Sequence, residues 1–84
     1  MAKVIIYSSD WCPYCTRAKQ LLHSKDVAFE EIKVDGKAAL RAQMAEKAKR
    51  TSVPQIWIGE LHVGGCDELF ALERAGKLDQ LLAG

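Results

Sequence analysis

Two cysteines separated by two residues, in Cys12-Pro13-Tyr14-Cys15, are the residues of this sequence best placed to do chemistry. A cysteine attacks a disulfide as its thiolate, so a useful nucleophile needs a pKa brought down from about 8.5 toward ambient pH. The unpaired N–H groups and positive dipole end of a helix N-terminus have that effect. A second cysteine three residues on lies one helical turn away, where its sulfur can reach the first and resolve a mixed disulfide. Pro13 stiffens the turn between them. The same spacing also serves metals, so the pair could form half of a zinc site. His62 and Cys66 would have to supply the other half, although structural zinc ligands usually come as close-set couples on loops or knuckles. An iron–sulfur cluster bridged between two chains is another alternative, opposed by a proline that holds Cys15 ready to close a disulfide. An inert buried pair is the last.

The elements around the cysteines bear on that choice. Val4-Ile5-Ile6-Tyr7 is a short β-rich apolar run bounded by Ser8-Ser9-Asp10, which predicts a buried central strand. After Cys12 the spacing turns helical, with Cys15, Ala18 and Leu22 on one face and Arg17, Lys19 and Gln20 toward solvent. Pro13 suits the first turn, where a missing N–H is no loss. His23-Ser24-Lys25 closes this helix, so Cys12 stands where a strand gives way to a helix N-terminus.

Val27 to Val34 predicts a second strand, and Asp35-Gly36 a turn into a helix carrying Leu40, Met44 and Ala48. Ile56-Trp57-Ile58 and Leu61-His62-Val63 flank Gly59-Glu60, the signature of a two-residue type II′ hairpin. Gly64-Gly65 breaks the second of these strands. Asp67 reads as the N-cap of a last helix with Leu69, Phe70 and Leu72, which Gly76 stops. Leu78, Leu81 and Leu82 suggest a final helical turn. The order β-α-β-α-β-β-α gives an α/β fold, with a right-handed crossover, one parallel pair and a hairpin: a four-stranded mixed sheet with helices on both faces.

Composition sets the outer bounds. The chain has 84 residues, 49% of them hydrophobic and 27% charged, as expected of one globular domain over residues 1–84. Twelve basic and 11 acidic residues leave a net charge of +1, which argues against nucleic acid or an anionic membrane as partner. Lys47, Lys49 and Arg50, the densest basic stretch, read as the solvated end of a helix. No apolar run approaches the ~18 residues of a membrane span, and the first residues lack the pattern of a signal peptide. Three cysteines are an odd number, which excludes a complete disulfide framework and fits redox chemistry in the cytoplasm.

Taken together, Cys12-Pro13-Tyr14-Cys15, Val53-Pro54 and Gly64-Gly65-Cys66-Asp67 resemble the glutaredoxin family in residue type, order and spacing. The likeness covers essentially the whole chain and points to the small bacterial dithiol members. Thioredoxins differ in carrying Gly-Pro between the cysteines and a longer chain. The resemblance implies a thioredoxin-like fold and glutathione-dependent reduction of protein disulfides and glutathione mixed disulfides. Cys12 would attack and Cys15 resolve, with no bound metal or cofactor and with glutathione as reducing co-substrate. A thioredoxin-like reductase served by a flavoprotein is the competing enzyme, and a metal-carrying scaffold without turnover the competing binding module.

The resemblance also assigns a glutathione cleft. It implies a cis Val53–Pro54 bond, with the Val53 backbone pairing with the cysteinyl part of glutathione. Gly65 allows close approach, Cys66 and its neighbours offer N–H groups to the γ-glutamyl carboxylate, and Asp67 meets the ammonium group. Tyr14 flanks the ligand, and Arg41 contacts the glycyl carboxylate. Cys66 itself reads as a small residue packed at the turn. Trp11 reads as a half-exposed cover for the site, Trp57 as sheet packing, and His23 and His62 as surface residues. The implied partners are disulfide-containing or glutathionylated proteins, ribonucleotide reductase being one candidate, approached by a cytoplasmic monomer. One departure stands out: family members commonly carry a lysine shortly before the first cysteine, where this sequence has Ser8-Ser9-Asp10.

Overall fold

The computed structural model describes residues 2–84. Its elements follow the order β1 (Val4–Ser8), α1 (Pro13–Ser24), β2 (Glu30–Lys33), α2 (Ala38–Ala48), β3 (Gln55–Ile58), β4 (Leu61–Gly64), α3 (Cys66–Arg74) and α4 (Leu78–Ala83). The strands form one sheet in the order β2-β1-β3-β4. β1 runs parallel to β2 and antiparallel to β3, and β3 pairs antiparallel with β4. The mixed sheet is the one the sequence predicts.

Alternation along β1 divides the molecule into layers, because successive side chains in a strand point to opposite faces. Val4 and Ile6 join Ala18 and Leu22 of α1, Ile56 and Ile58 of β3, Leu69 of α3, and Leu78 and Leu82 of α4 in the larger core. Ile5 and Tyr7 face the other way, packing with Val34 and with Leu40 and Met44 of α2. Ile6, Leu22, Ile56, Leu69 and Leu78 are fully buried, each stabilising the fold by roughly 1.5–3 kcal/mol. Lys25 ties the layer together at its far end, its ammonium lying 2.7 Å from Glu73 and 3.0 Å from Asp79.

Turn chemistry explains most of the boundaries. Gly59 has φ of +60° while Glu60 stays out of the left-handed region, as a type II′ hairpin requires. α3 ends in a Schellman motif: the Gly76 N–H donates to the Glu73 carbonyl and the Lys77 N–H to the Leu72 carbonyl, both at 3.0 Å. Gly76 accordingly takes φ of +72°.

Two expectations need correction. The second strand is shorter than Val27–Val34. Asp26 turns left-handed (φ 58°), and Val27 and Phe29 enter as irregular chain packed on the core before pairing begins at Glu30. Asp67 is not the N-cap of α3, because the helix starts two residues earlier than that cap would place it, at Cys66, with Gly65 in the cap position. The carboxylate of Glu68, three residues beyond the cap, accepts the Gly65 N–H at 2.6 Å. That is the returning half of a capping box, and it leaves Asp67 free of capping duty.

Candidate active site

The site begins where β1 hands over to α1. Cys12 is the N-cap of α1, in extended conformation, and its Sγ accepts the Cys15 backbone N–H at 3.1 Å. Pro13 occupies the first helical position. The Cys12 sulfur also lies 3.6 Å from the Val53 carbonyl, to which the thiol form can donate. Cys12 is partly exposed, whereas Cys15 has 0% of its surface accessible. Burial first, then the hydrogen bond to the Cys12 sulfur and the charge there, push the Cys15 thiol up to about 12. Only Cys12 can therefore meet an incoming disulfide, while Cys15 waits behind it with its proton.

The loop before Cys12 is held from the side. Asp35, just after β2, accepts the Ser9 hydroxyl at 2.5 Å and the Asp10 N–H at 2.8 Å. The Ser9 oxygen in turn accepts the Trp11 N–H at 3.3 Å, and Asp10 pairs with Lys33 at 2.8 Å. The segment that lacks the family's lysine is thus tied to the β2–α2 turn. The two Asp35 bonds, that from Asp10 foremost, hold its carboxyl below the ordinary range. Trp11 covers nothing: its indole is 89% exposed, contrary to the half-exposed role expected of it.

A cleft of about 200 Å³ opens beside Cys12. Tyr14, Val53, Pro54, Gly65, Cys66 and Asp67 all line it, and the Val53–Pro54 bond is cis. Arg41 does not line this cleft. Its guanidinium donates to the Thr51 carbonyl at 3.2 Å and sits by a separate depression next to Asp35 and Lys37. The cation in the cleft is Arg50, which reaches Glu68 at 3.1 Å. Burial raises the Cys66 thiol above its ordinary value, and the side chain packs in the larger core as a small apolar group.

Sequence reasoning missed Arg50, Ser52 and Glu68 among the lining residues. The basic run ending at Arg50 reads as solvated surface until its position just ahead of Val53-Pro54 is given weight. Glu68, three residues after Gly65, had the spacing of a capping box to announce it. As for the zinc alternative, His62 stacks on Trp57 and bonds to Gln55. No group of three or more potential metal ligands comes together among the described residues.

A buried strand leading into a helix capped by the first of two cysteines, with a cis-proline loop facing that sulfur, defines a thiol–disulfide oxidoreductase of the thioredoxin fold. The glutaredoxin family model matches residues 4–63. A glutaredoxin of Pseudomonas aeruginosa is 68% identical over 83 residues, covering 99% of both chains. Glutaredoxin 3 of Escherichia coli K12 is 55% identical over 82 residues, covering 98% of this chain and 99% of that one. Among solved structures, a buckwheat glutaredoxin–glutathione complex superposes with a TM-score of 0.90 at 29% identity, covering 98% of this chain and 77% of that one. The solution structure of glutaredoxin from Brucella melitensis gives 0.87 at 55% identity, covering 98% and 89%. The chain belongs to the glutaredoxin family.

Proposed function

We propose that this protein reduces protein disulfides and glutathione mixed disulfides, with glutathione bound along the cleft between Tyr14, the Val53–Pro54 loop and the start of α3. The unequal accessibility of Cys12 and Cys15 carries the reading, because it fixes the order in which the two sulfurs act.

With a glutathionylated protein, the Cys12 thiolate attacks the glutathione sulfur and the protein thiolate leaves. A second glutathione thiolate then attacks the bound glutathione sulfur, releasing glutathione disulfide and the Cys12 thiolate. With a protein disulfide, Cys12 first forms a mixed disulfide with one client sulfur. Burial holds the Cys15 thiol up most, but once its sulfur is bonded Cys12 no longer adds the hydrogen bond and charge that raise it further. Cys15 then attacks the Cys12 sulfur, its proton passing to the departing client sulfur, which leaves as a thiol and frees the reduced client. Two glutathione molecules return the Cys12–Cys15 disulfide to the dithiol and leave as glutathione disulfide.

The binding roles follow from position. The Val53 backbone pairs with the cysteinyl segment of glutathione, as one strand pairs with another. Asp67, free of capping duty, receives the γ-glutamyl ammonium group, and Gly65 and Cys66 line the approach to its carboxylate. Arg50 takes the role expected of Arg41, since it is the guanidinium within the cleft. Arg41 supports it through the Thr51 carbonyl. The protein works as a single-domain cytoplasmic monomer over residues 1–84, without a resident metal or cofactor, on client proteins among which ribonucleotide reductase is one candidate.

The direct test is turnover of a small glutathione mixed disulfide, with glutathione or a flavoprotein reductase as the alternative reductant. Turnover with glutathione, together with a raised Michaelis constant for it in Arg50→Gln, supports the assignment. Turnover driven only by the flavoprotein would overturn it.

A further inference from the structure

Gln55 is a fully buried polar side chain, 0% exposed, placed directly after the Val53–Pro54 loop. Its amide is completely engaged. Nε2 donates to the Ser52 carbonyl at 3.0 Å and contacts the Ser52 hydroxyl at 3.4 Å, while Oε1 meets His62 Nε2 at 2.8 Å. Because the NH2 group is committed to Ser52, the oxygen must face His62, which makes His62 Nε2 the donor. His62 is held in turn by stacking on Trp57, with ring centroids 4.6 Å apart and planes at 28°. Trp57 packs edge-on against Tyr7 at 5.5 Å. The regular hairpin register, Ile58 opposite Leu61 and Trp57 opposite His62, brings His62 onto the face of β3 that Gln55 shares with Trp57.

The chain of contacts ends at the active site. Ser52 and Val53 line the cleft, and the Val53 carbonyl lies 3.6 Å from the Cys12 sulfur. The Gln55 amide holds Ser52 directly, while Arg41 holds the Thr51 carbonyl one residue earlier. We propose that Gln55 and His62 are positioning residues for glutathione: together they hold the Ser52–Val53 backbone at the height at which it pairs with the ligand. Neither touches the reacting sulfurs, so their contribution falls on binding and not on the chemical step. A buried amide that loses its partner must find another or remain unpaired, and here its other contact is the loop itself. Removing the His62 donor therefore loosens Ser52 from a distance. The inference rests on the glutathione reading above.

The test compares His62→Leu, His62→Gln and Gln55→Leu with the wild type, using a small glutathione mixed disulfide as substrate and melting curves to establish folding. His62→Leu and Gln55→Leu should raise the Michaelis constant by roughly threefold to tenfold and leave kcat within about twofold. The rate at which iodoacetamide alkylates Cys12 should not change. His62→Gln, which keeps an N–H donor, should restore most of the loss. Relaxation of the Ser52 and Val53 amides, measured by NMR without ligand, should show added motion in both leucine variants. If Gln55→Leu does not fold, the two His62 variants decide the matter alone. Unchanged Michaelis constants and amide relaxation in folded His62→Leu would overturn the proposal, as would a His62→Gln variant no better than the leucine. A wild type inactive with glutathione would instead overturn the function proposed above, leaving the relaxation experiment to judge the strut itself.

Discussion

The Cys12 sulfur accepts the Cys15 backbone N–H at 3.1 Å, while the Cys15 side chain itself is fully buried. One residue thus both caps the helix and presents the sulfur that Cys15 will later attack. Cys12→Ser should abolish every thiol-transfer activity. Cys15→Ser should keep the removal of glutathione from proteins, which needs Cys12 alone, and lose the reduction of intramolecular disulfides. Mass spectrometry of the native reduced protein after brief alkylation should find Cys12 modified well ahead of Cys15 and Cys66, which react on unfolding.

The raised Cys15 thiol has a consequence for stability. Its folded pKa of about 12 lies well above the ordinary thiol range, so the folded protein holds this proton more tightly than the unfolded chain. Stability from this group is complete below about pH 9 and is lost as pH rises toward 12. The slope reaches at most about 1.4 kcal/mol per pH unit. Denaturant titrations of the reduced protein across this window should show the loss, and Cys15→Ser should flatten it.

Asp67 and Glu68 are neighbours with separable duties. Asp67→Ala should raise the Michaelis constant for glutathione on the order of tenfold, the loss expected of a charge-assisted hydrogen bond. Melting should barely move, because Asp67 does not cap α3. Glu68→Ala should cost about 0.5–2 kcal/mol in stability through the lost cap. It should also free Arg50. Equal melting losses in the two variants would refute this division.

The segment without the family's lysine behaves as a clamp. Since the Ser9 hydroxyl points to Asp35, Ser9→Lys would set an ammonium group against that carboxylate. Exposed pairs are weak and screened, so glutathione affinity should shift by less than about threefold. Asp35→Ala should do more, freeing both Ser9 and Asp10 and slowing turnover with little change in melting. The clamp is present above the ordinary carboxylate pKa and is lost as pH falls through the lowered value of Asp35. The Asp10 and Trp11 amide resonances should titrate together in that acid range.

Much of this arrangement was legible in the residues themselves, and the gaps have physical causes. Strand alternation, the Gly59-Glu60 turn and the Gly76 stop are local, and each stands where its residue types require. Asp67 misled because Asp is a good N-cap in isolation. The actual cap depends on Glu68 reaching back to the Gly65 N–H. The Arg41 expectation depended on helix register against the Thr51 loop, and only the packed structure orients a long side chain at that distance. Gln55 gave no signal at all. A glutamine inside a strand reads as a surface residue until its partners at Ser52 and His62 are in place.

Trp11 and Trp57 occupy opposite extremes of environment, one ring in water beside the nucleophile and the other stacked on an imidazole. The protein therefore carries two optical reporters with separate subjects. A water-soluble quencher should extinguish the red-shifted emission of Trp11 first, and that same emission should respond as Cys12 passes between thiol and mixed disulfide. The light that survives the quencher comes from Trp57. Its intensity follows the stacking of the His62 ring on the indole, so a single cuvette can follow chemistry at one end of the sheet and packing at the other.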